Sequence, residues 1–253
     1  MQIYVMDTEV FAEQNIFDRV MSILPEERLK KIRSVKQEQG KKLSAAAGFL
    51  LLYGAFQQPD MMHIPGKERV LEAGLQSSLE YVIGERGKPS LFVNGKQLFY
   101  NLSHSKTKAA CVIADAECGI DLERIDPGRV KDSFVRKVCT EREKEGIAQM
   151  EEEQGKKLFF KLWTGKESVM KCDGRGIAMG PDTIDVSGLL VKDNCQPEVS
   201  GKQGGCLEIK GLTLHALELE DYFLSVCCEK DTKTQLLVVD KAAVEEFLRG
   251  LDI

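Results

Sequence analysis

The run Gly119-Ile120-Asp121-Leu122-Glu123 constrains this chain more than any other. Read as a strand, its period of two sets Asp121 and Glu123 on one face and Ile120 and Leu122 on the other. Two adjacent carboxylates repel by roughly 1 kcal/mol at 4 Å in water and about 4 kcal/mol at an effective dielectric of 20. A fold that keeps them side by side needs a solvated surface, a basic partner or a metal to offset that repulsion. An exposed edge strand with its acids outward meets the need as well as a metal site does. The neighbouring sequence favours the metal site. Tyr100-Asn101-Leu102-Ser103-His104-Ser105 lies just upstream, and Trp163-Thr164-Gly165-Lys166-Glu167-Ser168-Val169-Met170-Lys171 lies downstream.

A chain of 253 residues can bury a sizeable core as one large domain or two small ones, and 43% hydrophobic with 30% charged residues is the balance of a soluble globular protein. The formal charge of −5 argues against the nucleic-acid backbone as a partner. Met1–Asp7 has neither a basic n-region nor a long apolar stretch, so no signal peptide is expected. The apolar run from Leu43 to Phe56 is broken by Ser44, Gly48, Tyr53 and Gly54, too short for a membrane and suited to a buried helix. Eight cysteines without a C-x-x-C pair suggest neither a disulfide framework nor zinc. A reduced, cytoplasmic protein is expected.

Along the chain, residues 2–6 alternate as a strand, and apolar positions from Val10 to Leu24 follow a helical period. Pro25 suits the first turn of a helix over roughly 25–37, rich in Lys30, Lys31, Arg33 and Lys36; Lys41 and Lys42 follow, then a buried helix to about 57. Residues 58–80 read as loop, 81–83 as strand and 85–89 as loop. Leu98–Ser103, Ala109–Ala114 and Cys118–Glu123 read as three strands of one antiparallel meander, which would set Ser103 and His104 on a strand neighbouring the acidic one. Helices are predicted at 129–138, 140–150 and 155–172, with 151–155 as a solvated connection. Trp163, Glu167 and Lys171, spaced by four, share nearly one helical face, and Asp173-Gly174-Arg175-Gly176 stops that helix. Strands are predicted at 184–191, 206–210, 212–219, 222–229 and 235–239, with a mobile loop at 193–205 and a closing helix at 241–251. Both halves run helices and then strands, which places a domain boundary near residue 116: a 1–116 N-terminal and a 117–253 C-terminal α+β half.

Glu167 adds a third carboxylate to Asp121 and Glu123, an oxygen-rich set suited to Mg²⁺. With Lys88, His104 and Lys171 the set implies a polyanionic ligand such as a pyrophosphate. His104 alone also reads as a hydrogen-bonded structural residue.

Arg86-Gly87-Lys88-Pro89, Asn101-Leu102-Ser103-His104-Ser105, Gly119-Ile120-Asp121-Leu122-Glu123 and Trp163-Thr164-Gly165-Lys166-Glu167-Ser168, in that order, resemble the motifs of the 4′-phosphopantetheinyl transferases, of the larger, pseudo-dimeric, surfactin-synthetase-activating type. The resemblance implies two similar α+β halves with coenzyme A in the cleft between them. It implies transfer of the 4′-phosphopantetheine arm to a serine of an apo acyl or peptidyl carrier protein, releasing 3′,5′-ADP. By motif position, Asp121, Glu123 and Glu167 would hold Mg²⁺, Glu167 would serve as base, and Lys171 would stabilise the diphosphate. Lys30, Arg33, Lys42, Lys88, Pro89, Ser103 and His104 would bind coenzyme A. A monomer is expected, with the carrier docking on helices between Arg129 and Met150. The chain departs from the family where Lys41 and Lys42 stand in place of an arginine, ahead of the small, apolar Ser44-Ala45-Ala46-Ala47-Gly48. Two other readings use the same residues: a Mg²⁺-dependent nucleotide pyrophosphatase or phosphodiesterase, and a non-catalytic module that binds coenzyme A or the carrier protein.

Overall fold

The computed structural model describes residues 1–58, 79–83, 89–93, 95–190, 204–209, 211–229 and 234–251. Two units divide the chain: Gln2–Asp115 with Leu236–Ile253, and Ala116–Gln235 with Met1. Both mix helices with antiparallel sheet, so the class is α+β.

The first unit opens with strand β1 (Gln2–Asp7), its centre fully buried. Helices α1 (Gln14–Ile23), α2 (Glu26–Ser34) and α3 (Glu38–Phe56) follow. Helix α2 starts directly after Pro25, as expected, but it ends at Ser34 rather than near 37, because Val35 and Gln37 are extended. The small run in α3 has a packing reason. Ala45, Ala46 and Ala47 are buried, and a Cβ on Gly48 would lie 2.8 Å from Arg28 Nε, so a larger residue there would push the Arg28 side chain aside. Strands β2 (Leu79–Ile83), β3 (Pro89–Val93), β4 (Lys96–Ser105) and β5 (Lys108–Ala114) complete the forward run of this unit, and residues 59–78 and 84–88 lie outside the described set. The sheet order is β10–β1–β5–β4–β3–β2, where β10 is Gln235–Val238. Helix α3 lies on β1, β4 and β5. Helix α7 (Lys241–Arg249) brings Val244 and Leu248 into the same core, with Leu251 just beyond it. The chain-order division at 116/117 put residues 236–253 with the second half, whereas they pack in the first unit.

The second unit holds strands β6 (Cys118–Arg124), β7 (Gly204–Ile209), β8 (Leu212–Leu219) and β9 (Tyr222–Cys228) in the order β6–β9–β8–β7. Helices α4 (Asp132–Val138), α5 (Glu141–Ala148) and α6 (Glu152–Asp173) precede β7 in the chain, and α6 lies on β6, β8 and β9. The single meander is therefore corrected. β4 pairs with β3 and β5, while β6 pairs with β9 in a different sheet, so Ser103 and His104 are not on a strand that pairs with the acidic one.

Two further expectations change. Residues 152–155 are the first turn of α6 rather than a connection: Glu152 and Glu153 suit the positive end of the helix dipole, and Gly155 is buried against Ile147. The expected strand at 184–191 is not formed over its described residues, 184–190: a 3₁₀ turn at Pro181–Thr183 precedes them and another takes up Ser187–Leu190, while residue 191 lies outside the described set. Ile184, Val186 and Leu189 are buried there, and the Val186 N–H donates to Glu143 Oε1 at 2.9 Å, a side chain taking the place of a neighbouring strand. Helix α6 ends as the sequence predicts, on Gly174 in the left-handed region at φ 85°. Among the described residues no helix is long and apolar enough to cross a membrane. The seven described cysteines are free thiols, and burial pushes the Cys139 thiol up to about 11.

Candidate active site

The acidic strand meets its helix through a glycine. A Cβ on Gly119 would stand 2.1 Å from the Ser168 carbonyl oxygen and 2.4 Å from the Cys172 nitrogen, so the β6 and α6 backbones touch only because this residue has no side chain. Asp121 and Glu123 share the parity of Gly119 along β6. The closeness of the two backbones therefore carries Asp121 to within reach of α6.

Lys171 answers from the helix. Its Nζ donates to Asp121 Oδ1 at 2.7 Å and to the Ile120 carbonyl at 3.0 Å. Asp121 is 4% exposed, and a carboxylate that deep needs a counter-charge. Glu167, one turn earlier on α6, is part-buried. Burial first, then the charges of Asp121 and Glu123, raise its carboxyl above the usual range, with Lys171 opposing them. The three carboxylates and Lys171 thus lie within electrostatic reach of one another in one unit.

Hard oxygen donors are the right chemistry for Mg²⁺. The expected ligand triad is nevertheless not assembled: among the described residues no group of three or more His, Cys, Asp or Glu side chains is arranged to hold a metal ion. The donor types fit, but the side chains as placed do not converge, and Asp121 Oδ1 faces an ammonium.

Residues that sequence reasoning left without a role hold this arrangement. Thr164 Oγ1 lies 2.8 Å from Ser225 Oγ, and Ser225 is the cross-strand partner of Asp121, so this contact ties α6 to β9 beside the site. Lys166, next to Glu167, is wholly buried against a wholly buried Glu143, with Nζ 2.7 Å from Oε2. It also donates to the carbonyls of Pro181 at 2.8 Å and Ile184 at 2.5 Å. Glu143 accepts from the Thr140 N–H while Thr140 caps α5, a reciprocal capping box. Thr140-Glu141-Arg142-Glu143 carries that signature in sequence, which could have marked Glu143 as an inward-facing residue.

The first unit holds the other expected residues. Ser103 is buried and His104 exposed on β4, opposite Ala110 and Ala109 of β5. On α2, Lys30 is exposed and Arg33 pairs with Glu26 at 2.8 Å; on α3, Lys41 pairs with Glu38 and Lys42 is half-buried. Lys88 lies outside the described residues, and Pro89 opens β3. In the second unit, α4, α5 and the start of α6 enclose a groove of about 420 Å³ lined by Val135, Ile147, Phe159, Arg136 and Lys144.

Comparison with known proteins bears on the strand and helix that carry this cluster. Residues 117–227 match the model of the 4′-phosphopantetheinyl transferase superfamily. The chain is 40% identical over 97 residues to the 4′-phosphopantetheinyl transferase HetI of Nostoc sp., which is 37% of this chain and 40% of that protein. It is 35% identical over 106 residues to AcpT of Salmonella typhimurium, 42% of this chain and 55% of the relative. It is 28% identical over 163 residues to the 4′-phosphopantetheinyl transferase gsp of Aneurinibacillus migulanus, 64% of this chain and 63% of the relative. The chain thus spans about half the length of the curated relatives it matches.

Proposed function

We propose that this protein transfers the 4′-phosphopantetheine group of coenzyme A to a serine of an apo acyl or peptidyl carrier protein, giving holo carrier protein and 3′,5′-ADP in a Mg²⁺-dependent reaction. The observation that carries the reading is the Asp121–Lys171–Glu167 cluster on β6 and α6, inside the segment that matches the superfamily model. HetI, AcpT and gsp bear the name of that activity.

In this reading Asp121, Glu123 and Glu167 would hold Mg²⁺, which would supply charge neutralisation at the coenzyme A diphosphate. Glu167 takes the proton of the carrier serine hydroxyl. In metal-free protein burial, Asp121 and Glu123 raise its carboxyl, so it holds a proton more readily than an ordinary glutamate. The serine oxygen bonds to the phosphorus carrying the pantetheine arm, and the bond to 3′,5′-ADP breaks. Lys171 places its ammonium on the diphosphate, where charge collects as that bond breaks. Lys30, Arg33, Lys42, Lys88, Pro89, Ser103 and His104 bind coenzyme A, with Arg33 first leaving Glu26. The groove along α4 and α5 takes the carrier. No nucleophile of the enzyme's own is required, because the partner brings one; positioning and charge are the protein's tasks. We place the enzyme in the cytoplasm as a monomer.

The test is the intact mass of an apo carrier protein incubated with this protein, coenzyme A and Mg²⁺. A gain of one phosphopantetheine arm is expected, with Asp121→Ala reducing the rate at least a hundredfold, roughly the scale of losing a transition-state electrostatic contact. Free 4′-phosphopantetheine with an unmodified carrier would replace this reading with the hydrolase. Near-normal transfer by Asp121→Ala in saturating Mg²⁺ would remove Asp121 from the metal site.

A further inference from the structure

We propose that Cys172 and Cys227 form an oxidation site: a small hydroperoxide reaching Cys172 converts its thiol to a sulfenic acid, and Cys227 closes on that sulfur to a disulfide that clasps the end of α6 to β9. The inference stands apart from the transfer reading and needs neither metal nor coenzyme A.

Four of the eight cysteines come together at this place. Cys118 on β6 pairs with Cys228 on β9, Gly119 pairs with Cys227, and Cys172 is in the last turn of α6. Directly opposed residues of an antiparallel pair project to one side, and their neighbours along each strand project to the other. Cys227 therefore shares the face of Gly119, which is the face that α6 covers: a Cβ on Gly119 would stand 2.4 Å from the Cys172 nitrogen. Cys118 and Cys228 project to the opposite side. Of these three strand cysteines, Cys227 is thus the one that meets Cys172, and the two thiols are hydrogen-bonded.

The pair differs in access. Cys172 lines a cavity of about 190 Å³ whose apolar wall includes Met179, Ile184, Ile209 and Leu212. A water takes up about 30 Å³ in the liquid, so a hydroperoxide fits such a space. That opening separates Cys172 from a structural cysteine sealed in a core. Cys227 is wholly buried on β9 behind it. Cys172 Sγ donates to the Glu117 carbonyl at 3.4 Å, and Cys227 donates in turn to Cys172. Cys227 holds its proton above the usual thiol range, first because of that hydrogen bond and then because of burial. Its S–H is already aimed at the sulfur to be oxidised, which suits a resolving thiol.

The chemistry balances. An S–O bond forms at Cys172 as the peroxide O–O bond breaks and an alcohol leaves, or water when the oxidant is hydrogen peroxide. Cys227 then forms the S–S bond while the S–O bond breaks, and the hydroxyl departs as water with the Cys227 proton. The two thiols lose two electrons and two protons, and the hydroperoxide gains them.

The experiment treats reduced full-length protein with hydrogen peroxide, blocks the remaining thiols with N-ethylmaleimide in denaturant, and reads intact mass and peptide map. Wild type is expected to lose two of its eight thiols to one bridge, mapped to Cys172 and Cys227, and dithiothreitol should return both. Cys227→Ala should stop at the sulfenic acid, captured by dimedone on Cys172. Cys172→Ala should form no bridge and carry no dimedone on Cys227. Cys228→Ala and Cys118→Ala should bridge as wild type does, and Cys228→Ala also removes the ambiguity of adjacent cysteines in one peptide. The wild-type map does not depend on any variant folding. A bridge joining Cys118 to Cys228, or dimedone on Cys227 in place of Cys172, would overturn the assignment. So would wild-type Cys172 and Cys227 that both survive peroxide sufficient to oxidise a cysteine peptide in the same tube. None of these outcomes touches the transfer reading, which the carrier mass assay tests separately.

Discussion

Glu167 is a carboxyl in unfavourable company. Burial, Asp121 and Glu123 all raise it, and Lys171 offsets only part of the effect. Raising the folded-state value means that the folded protein holds this proton more tightly than the unfolded chain does. The group's contribution to stability is therefore fully present below the ordinary glutamate range and is lost as pH rises through the raised value. Glu167→Gln removes the charge and hence the loss. In metal-free protein this variant should melt above wild type at neutral and alkaline pH, and the difference should vanish as pH falls below the usual carboxylate range. Calorimetric melts across that window check the sign; a variant less stable at pH 8 would mean that Lys171 outweighs the two acids. At this scale much of the site was legible. The period of two along β6 put Asp121 and Glu123 on one face, and the spacing of four along α6 put Glu167 and Lys171 on another. The alternation could not say that Gly119, on the acidic face, is what lets the helix backbone approach. Nor could it say that Lys171 would turn to Asp121, because the contact spans two elements 50 residues apart in sequence.

Helix α6 is anchored by a pair that its own sequence disguises. Lys166 reads as one more lysine in a charged run, yet its side chain is wholly buried and serves Glu143 and two carbonyls of the 3₁₀ segment. Glu143 in turn serves the α5 cap and the Val186 N–H. Breaking such a buried pair leaves an uncompensated charge and costs about 3–5 kcal/mol, whereas replacing both partners with apolar residues can be nearly neutral. Lys166→Met alone should therefore lower stability by about that much, and Lys166→Met with Glu143→Leu should recover part of it. The recovery should be incomplete, since the Thr140 and Val186 N–H groups lose their acceptor. Urea denaturation of the single and double variants measures the coupling; additive losses would show that the two charges do not act as a pair. The same hub explains the misread strand at 184–191. Apolar residues at 184, 186 and 190 fall on a period of two, but backbone groups there are met by Glu143 and Lys166, which lie 43 and 18 residues away in sequence. Periodicity reports which side chains are buried, not what satisfies the backbone between them.

The order of elements along the chain revealed an α+β molecule, but not which elements share a core. Helix α7 was predicted at nearly its true position, with Val244, Phe247, Leu248 and Leu251 on one side, because an amphipathic stripe is a local signal. Its destination is not local: those residues join Tyr4, Phe49 and Ile113 in the core of the first unit. Phe247 stands edge-on to Phe49 and Phe56, with ring centroids at 5.5 and 5.6 Å. Val239, Val244, Leu248 and Leu251 are each at most 5% exposed. Burying a side chain of this size contributes about 1.5–3 kcal/mol, so four of them together approach about 6–12 kcal/mol, an upper figure because the unfolded chain is not fully extended. That is comparable to the whole stability of an ordinary domain, about 5–15 kcal/mol. A chain stopped after Thr234 also loses β10, and with it the partner of β1 on that side of the sheet. Hydrogen exchange should then show the first unit open, with peptides covering Tyr4–Met6, Phe49–Phe56 and Ala109–Ile113 losing most of their protection. A synthetic peptide of residues 235–251 added in trans should restore it. If the shortened chain protected those peptides as the full chain does, β10 and α7 would be ornaments on a core that closes without them, and a division of the chain near residue 116 would suffice for folding.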